Sequence, residues 1–88
     1  MAIMPQPVTI YIKPTCPFCV GAVDLLRSLG VEPQVHDVSN NPDLRKTVSE
    51  SVGGWPTVPM IFLGEEFVGG YTDLRALHEQ GQLAAKLG

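Results

Sequence analysis

The sequence predicts an α/β fold: a small four-stranded mixed sheet flanked by helices, in the order strand, helix, strand, helix, strand, strand, helix. Three observations predict it. Val8-Thr9-Ile10-Tyr11-Ile12 is a β-branched and aromatic run that passes directly into a helical apolar pattern. The stretch from there to the next extended segment is long enough for a parallel crossover, which should be right-handed. Pro59-Met60-Ile61-Phe62-Leu63 and Glu66-Phe67-Val68 flank Gly64-Glu65, the pattern of a hairpin.

Each element has its own signal. The first strand covers residues 7–12. The first helix starts near Pro17, because proline fits a first helical position, where no N–H partner is needed. Ala22, Val23, Leu25, Leu26 and Leu29 form its inward stripe, and Gly30 ends it. Pro33 to Val38 is the second strand. Asn40 or Asn41 caps a second helix that Pro42 opens, with Leu44, Val48 and Val52 facing inward and Gly53-Gly54 stopping it. Gly69-Gly70 ends the hairpin. Thr72 or Asp73 starts a last helix with Leu74, Leu77 and His78, and Gly81 breaks it before Leu83 to Leu87.

The chain has 88 residues, which bounds it to one domain, 1–88, with one modest core. Hydrophobic residues make up 44%, too many for a disordered chain. Net charge is −3, and the basic residues Lys13, Arg27, Arg45, Lys46, Arg75 and Lys86 are scattered, so no basic stripe suggests nucleic acid. No apolar stretch approaches the ~20 residues of a membrane helix. The first seven residues have neither a positive n-region nor a long apolar core, so they do not read as a signal peptide. The expectation is a cytoplasmic protein, where a close cysteine pair is catalytic or metal-binding more often than structural.

The chemistry concentrates in Thr15-Cys16-Pro17-Phe18-Cys19, which holds the chain's two cysteines. The pair falls at the turn between the first strand and the first helix, with Cys16 at the helix start. A dithiol there is the signature of a thioredoxin-like redox site. Cys16 is the candidate nucleophile and Cys19, one helical turn inward, the candidate resolving thiol. The thiolate is the reactive species, and an ordinary cysteine has a pKa near ~8.5. A helix N-terminus and Lys13 both supply positive charge that favours it.

Three segments in order, Lys13-Pro-Thr-Cys16-Pro-Phe-Cys19, Thr57-Val58-Pro59 and Phe67-Val-Gly69-Gly70-Tyr-Thr-Asp73-Leu, resemble the glutaredoxin family over essentially the whole chain. The resemblance implies a thioredoxin-like fold and a glutathione-dependent thiol–disulfide oxidoreductase. It would reduce protein–glutathione mixed disulfides and protein disulfides, with glutathione as co-substrate. It implies that Pro59 follows a cis bond and that the Val58 backbone pairs with the tripeptide like an added strand. Thr57 would line that groove, and the Phe18 ring would flank the sulfur or cover the groove. Gly70, Thr72 and Asp73 would receive the γ-glutamyl end, where the family most often has two aspartates. Lys13 and Arg45, or Lys46 in place of Arg45, would bind the glycine carboxylate.

Trp55-Pro56 before Thr57-Val58-Pro59 resembles instead the monothiol branch of the same family. The alternative it implies is a carrier or sensor in which Cys16 of two subunits and two glutathiones hold a [2Fe-2S] cluster. Pro17 argues against that assembly. The oxidoreductase would be a monomer and the cluster form a dimer, with neither nucleic acid nor membrane as partner. His36 and His78 lie 42 positions apart, against the ~3–5 residues of zinc-finger spacing, so they read as surface or edge residues.

Overall fold

The computed structural model describes residues 7–87. The leader reading above therefore falls, up to Gln6, outside the described residues. The chain runs β1 (Val8–Ile12), α1 (Pro17–Ser28), β2 (Gln34–Asp37), α2 (Pro42–Ser51), β3 (Met60–Leu63), β4 (Glu66–Gly69), α3 (Tyr71–Glu79) and α4 (Gln82–Leu87). The four strands form one mixed sheet in the order β2-β1-β3-β4. β1 pairs parallel with β2 and antiparallel with β3, and β3 pairs antiparallel with β4. This is the predicted fold class.

Period-two alternation divides the sheet into unlike faces. Val8 and Ile10 of β1, with Ile61 and Leu63 of β3, meet Ala22, Val23 and Leu26 of α1, Leu74 of α3, and Leu83 and Leu87 of α4. All are buried, and together they form an aliphatic core. The opposite face is aromatic. Tyr11 meets Phe62 edge-on at 5.9 Å, and Phe62 meets Phe67 at 5.1 Å. α2 lies on this side and buries one hydrophobic residue, Val48.

Local signals ended some elements elsewhere than expected. Leu29 is no core residue: α1 stops at Ser28, and Leu29 is its C-cap, 37% exposed, because the chain has left the helical spiral. β2 keeps only Gln34–Asp37, all exposed, since it is the outer strand of the sheet. Asn41, not Asn40, caps α2, its Oδ1 accepting the Leu44 N–H at 3.1 Å. Leu44 and Val52 are only half-buried, Val52 being the C-cap beyond the last turn. α3 starts at Tyr71, ahead of Thr72 and Asp73, with Gly70 as N-cap. Asp73 lies in its first turn and reaches back to the cap.

Candidate active site

β1 delivers the chain to the dithiol turn, which the Cys16 N–H closes by donating to Lys13 O at 3.1 Å. Cys16 is the N-cap of α1, and Pro17 follows at the first helical position. Its Sγ accepts the Cys19 N–H at 3.2 Å, so sulfur stands where a serine or aspartate oxygen commonly caps a helix. An acceptor there gains from the partial positive charge of the helix end. The Cys16 thiol also points at Val58 O, 3.8 Å away. Both cysteines are free, Cys16 half-buried and Cys19 0% exposed. Burial, helped by its hydrogen bond with Cys16, pushes the Cys19 thiol up to about 12. Cys19 is therefore a neutral thiol at ordinary pH.

The bond between Val58 and Pro59 is cis. Phe18, Thr57, Val58, Pro59, Gly70, Thr72 and Asp73, named above from scattered segments, line one groove of about 270 Å³. Asp73 Oδ2 accepts the Gly70 N–H at 3.0 Å. The approach is close because Gly69 has φ +119°, and a Cβ there would stand 2.8 Å from Asp73 Cγ. Gly70 contributes no capping side chain, so no side chain caps the first amides of α3.

Lys13 and Arg45 lie outside this groove. Lys13 lines a trough between α1 and β2, together with Cys19, Val20 and Val35. Arg45 and Lys46 line an adjoining cleft of about 300 Å³ that meets the groove at Trp55. Arg45 Nη2 donates to Pro56 O at 3.3 Å, tying α2 to the loop before Thr57.

Tyr71 was missed by sequence reasoning. Its ring lines the groove and stacks on Phe18 at 6.0 Å and 22°, over a helix surface that Gly21 keeps flat. A Cβ on Gly21 would stand 3.3 Å from the tyrosine ring, so a glycine inside an otherwise good helix was the available signal. Phe18, 63% exposed, is one face of this stack. His36 is exposed on β2 and stacks on Tyr11 at 5.1 Å, and His78 is exposed in the last turn of α3. Among the described residues no three His, Cys, Asp or Glu side chains gather as metal ligands. No described helix is long and apolar enough to cross a membrane.

The family model for glutaredoxin matches residues 8–68. A glutaredoxin of Pseudomonas aeruginosa is 42% identical, covering 92% of this chain and 95% of that protein. The solution structure of glutaredoxin from Brucella melitensis superposes with a TM-score of 0.83 at 41% identity, over 94% of this chain and 89% of that one. A buckwheat glutaredoxin–glutathione complex superposes at 0.84 and 25% identity, over 93% of this chain and 76% of that one. With the dithiol at the head of α1, the cis bond at Val58–Pro59 and these matches, the chain belongs to the glutaredoxin family of thiol–disulfide oxidoreductases.

Proposed function

We propose that this chain, acting as one domain over 1–88, reduces protein–glutathione mixed disulfides and protein disulfides with glutathione as its reductant. The observation that carries the reading is the Cys16 sulfur at the N-cap of α1, beside the Val58 wall of a groove that ends at Asp73. A relative that was solved as a glutathione complex shares the fold.

In this reading the Cys16 thiolate attacks the glutathione sulfur of a mixed disulfide. The disulfide S–S bond breaks, the protein thiolate leaves and takes up a proton, and Cys16 becomes glutathionylated. A second glutathione thiolate attacks that sulfur, releasing glutathione disulfide and regenerating Cys16. For a protein disulfide, the Cys16 thiolate attacks one sulfur, the substrate S–S bond breaks, one substrate thiolate leaves and takes up a proton, and Cys16 is left in a mixed disulfide with the other. The Cys19 thiol then gives its proton to the departing substrate thiolate as its sulfur attacks Cys16 Sγ, and two glutathiones reduce the resulting Cys16–Cys19 disulfide. Family potentials of about −200 to −230 mV lie close enough to the glutathione couple for exchange in both directions.

The groove suits the tripeptide chemically. The Val58 backbone offers strand-like pairing to its peptide. The uncapped amides at the start of α3 suit the γ-glutamyl carboxylate. Asp73 suits the ammonium, and Thr72 stands where a second aspartate is commoner. Arg45 and Lys46 of the adjoining cleft, with Lys13 just before the dithiol, suit the glycine carboxylate. A reducing compartment such as the cytoplasm fits a working dithiol. The [2Fe-2S] alternative is the weaker reading: one chain offers Cys16 alone, so a cluster needs a second copy and two glutathiones.

The test is reduction of a glutathione mixed disulfide coupled to glutathione reductase and NADPH. Activity lost in Cys16→Ser and kept in Cys19→Ser is the expected result. A wild type without activity would overturn the reading.

A further inference from the structure

We propose that the indole N–H of Trp55 is a hydrogen-bond donor held for the bound tripeptide, which makes Trp55 a specificity-determining residue of the groove; this rests on the glutathione reading above. Trp55 Nε1 is buried and has no hydrogen-bond partner among the described residues. A buried donor without an acceptor costs stability, and a native fold that keeps one requires a reason. Phenylalanine would fill the same wall without that cost.

Its position supplies the reason. Trp55 lines both the groove and the adjoining cleft of Arg45 and Lys46. Nε1 and Cζ2 are bonded to the same ring carbon and share one edge of the indole. Cζ2 lies 3.8 Å from where a Cβ on Gly70 would stand, so the donor edge sits beside the glycine that lines the groove. The Trp55 backbone is pinned: Ser49 Oγ donates to its carbonyl at 2.6 Å, and its N–H donates to Ser49 O at 3.3 Å. The ring is held by an edge contact with Phe67, at 5.2 Å and 77°. To donate to the ligand, the indole must tilt against Phe67 far enough for its N–H to face the groove. Glutathione brings peptide carbonyl and carboxylate oxygens to that wall, and any of them can accept. Among the described residues the donor is unpaired, and in the proposal the ligand pairs it.

This tryptophan is the only one in the chain, so its indole N–H gives one resonance in a proton–nitrogen correlation spectrum. The experiment forms the mixed disulfide of glutathione on Cys16 in the Cys19→Ser variant, and in parallel that of γ-glutamylcysteine, which lacks the glycine. The expected result with glutathione is a downfield shift of the indole proton and slower exchange with water. Persistence of the shift with γ-glutamylcysteine places the acceptor in the γ-glutamyl-cysteinyl part, and its loss places it in the glycine. In turnover, Trp55→Phe is expected to raise KM for the glutathione mixed disulfide about fivefold, the scale of one net hydrogen bond, with kcat unchanged. The melting temperature of the ligand-free variant is expected to hold or rise, since the donor it removes was unpaired. An indole resonance that stays put would overturn the proposal, its N–H then being spent on the Phe67 ring. So would an unchanged KM, or a lower melting temperature with no change in KM, which would make Trp55 a packing residue. A wild type that fails to turn over glutathione mixed disulfides would overturn the glutathione reading, whereas an active wild type with a static indole overturns only the role of Trp55.

Discussion

Two helix N-termini serve the groove, and they are built in opposite ways. At the start of α1 the N-cap carries a side chain, the Cys16 sulfur, which takes the Cys19 N–H at 3.2 Å. At the start of α3 the N-cap is Gly70, which has no side chain to offer, and Asp73 reaches back instead to accept the Gly70 N–H at 3.0 Å. The first helix spends its positive end on its own reacting atom. The second leaves its positive end free for an anion from outside. On the proposed glutathione reading, one fold motif supplies both the chemistry and the grip, and the residue at the cap decides which.

Replacing the reacting atom should give the largest effect. Cys16→Ser keeps a capping oxygen, so the fold should survive. The rate of mixed-disulfide reduction should fall by about 10³-fold or more, because a serine hydroxyl is no substitute for a thiolate nucleophile. A variant that retained a tenth of the wild-type rate would show that α1 does not carry the chemistry.

Next comes Gly69→Ala, aimed at the other end. The new Cβ would meet the Asp73 carboxyl and sit at φ +119°, where side chains are strained. Urea unfolding should show a loss of about 2–3 kcal/mol, with KM for the glutathione mixed disulfide raised as Asp73 is pushed aside. Equal stability would mean that Asp73 moves freely and does not define the start of α3.

Charge removal should cost less. Asp73→Asn keeps the shape and an acceptor for Gly70 but loses the negative charge proposed to meet the ligand ammonium. KM should rise about fivefold to tenfold, the scale of exchanging a charge-assisted hydrogen bond for a neutral one, with kcat nearly unchanged. The smallest effect is expected from Gly70→Ser. Its φ of −95° suits serine, and the nearest atoms to a new Cβ are 3.7 Å and 3.8 Å away. The hydroxyl would cap α3 as sulfur caps α1, stabilising the fold by a few tenths of a kcal/mol. The same hydroxyl would occupy amides wanted by the γ-glutamyl carboxylate, so KM should rise about twofold to threefold. Stability and affinity moving in opposite directions would establish that the two caps are specialised.

Titration sharpens the contrast within α1. Cys19 sits one turn inside the cap, and its thiol is pushed up from 9.0 to about 12, chiefly by burial. The folded state therefore holds this proton more tightly than the unfolded chain does. Its contribution to stability is complete below pH 9 and is lost as pH rises from 9 toward about 12. Alkaline unfolding of the reduced protein should be shallower in Cys19→Ala than in the wild type. Iodoacetamide at pH 8 should modify Cys16 alone, read by mass spectrometry, until denaturant admits it to Cys19.

Much of this was legible in the chain itself. Proline at the head of a helix, asparagine capping the next, glycines at the stops and a β-branched run before the dithiol are local signals: interactions within four residues generate the helices, and residue type marks the strands. That is why the strand and helix order, the turn that carries Cys16 and Cys19, and the hairpin around Gly64-Glu65 stand where the sequence placed them. Other features depend on partners distant in sequence. Tyr71 joins Phe18 because α3 packs against α1. The unpaired Trp55 donor exists because Phe67 and Gly70 close around its ring. Lys13 and Arg45, both expected to meet one carboxylate, stand on different elements: Lys13 lines the trough beside α1 and β2, and Arg45 rides on α2 in the cleft that adjoins the groove at Trp55. Residue type and spacing determined which groups this protein has for its chemistry; sheet order and helix packing, which no short window of sequence contains, decided which of them meet.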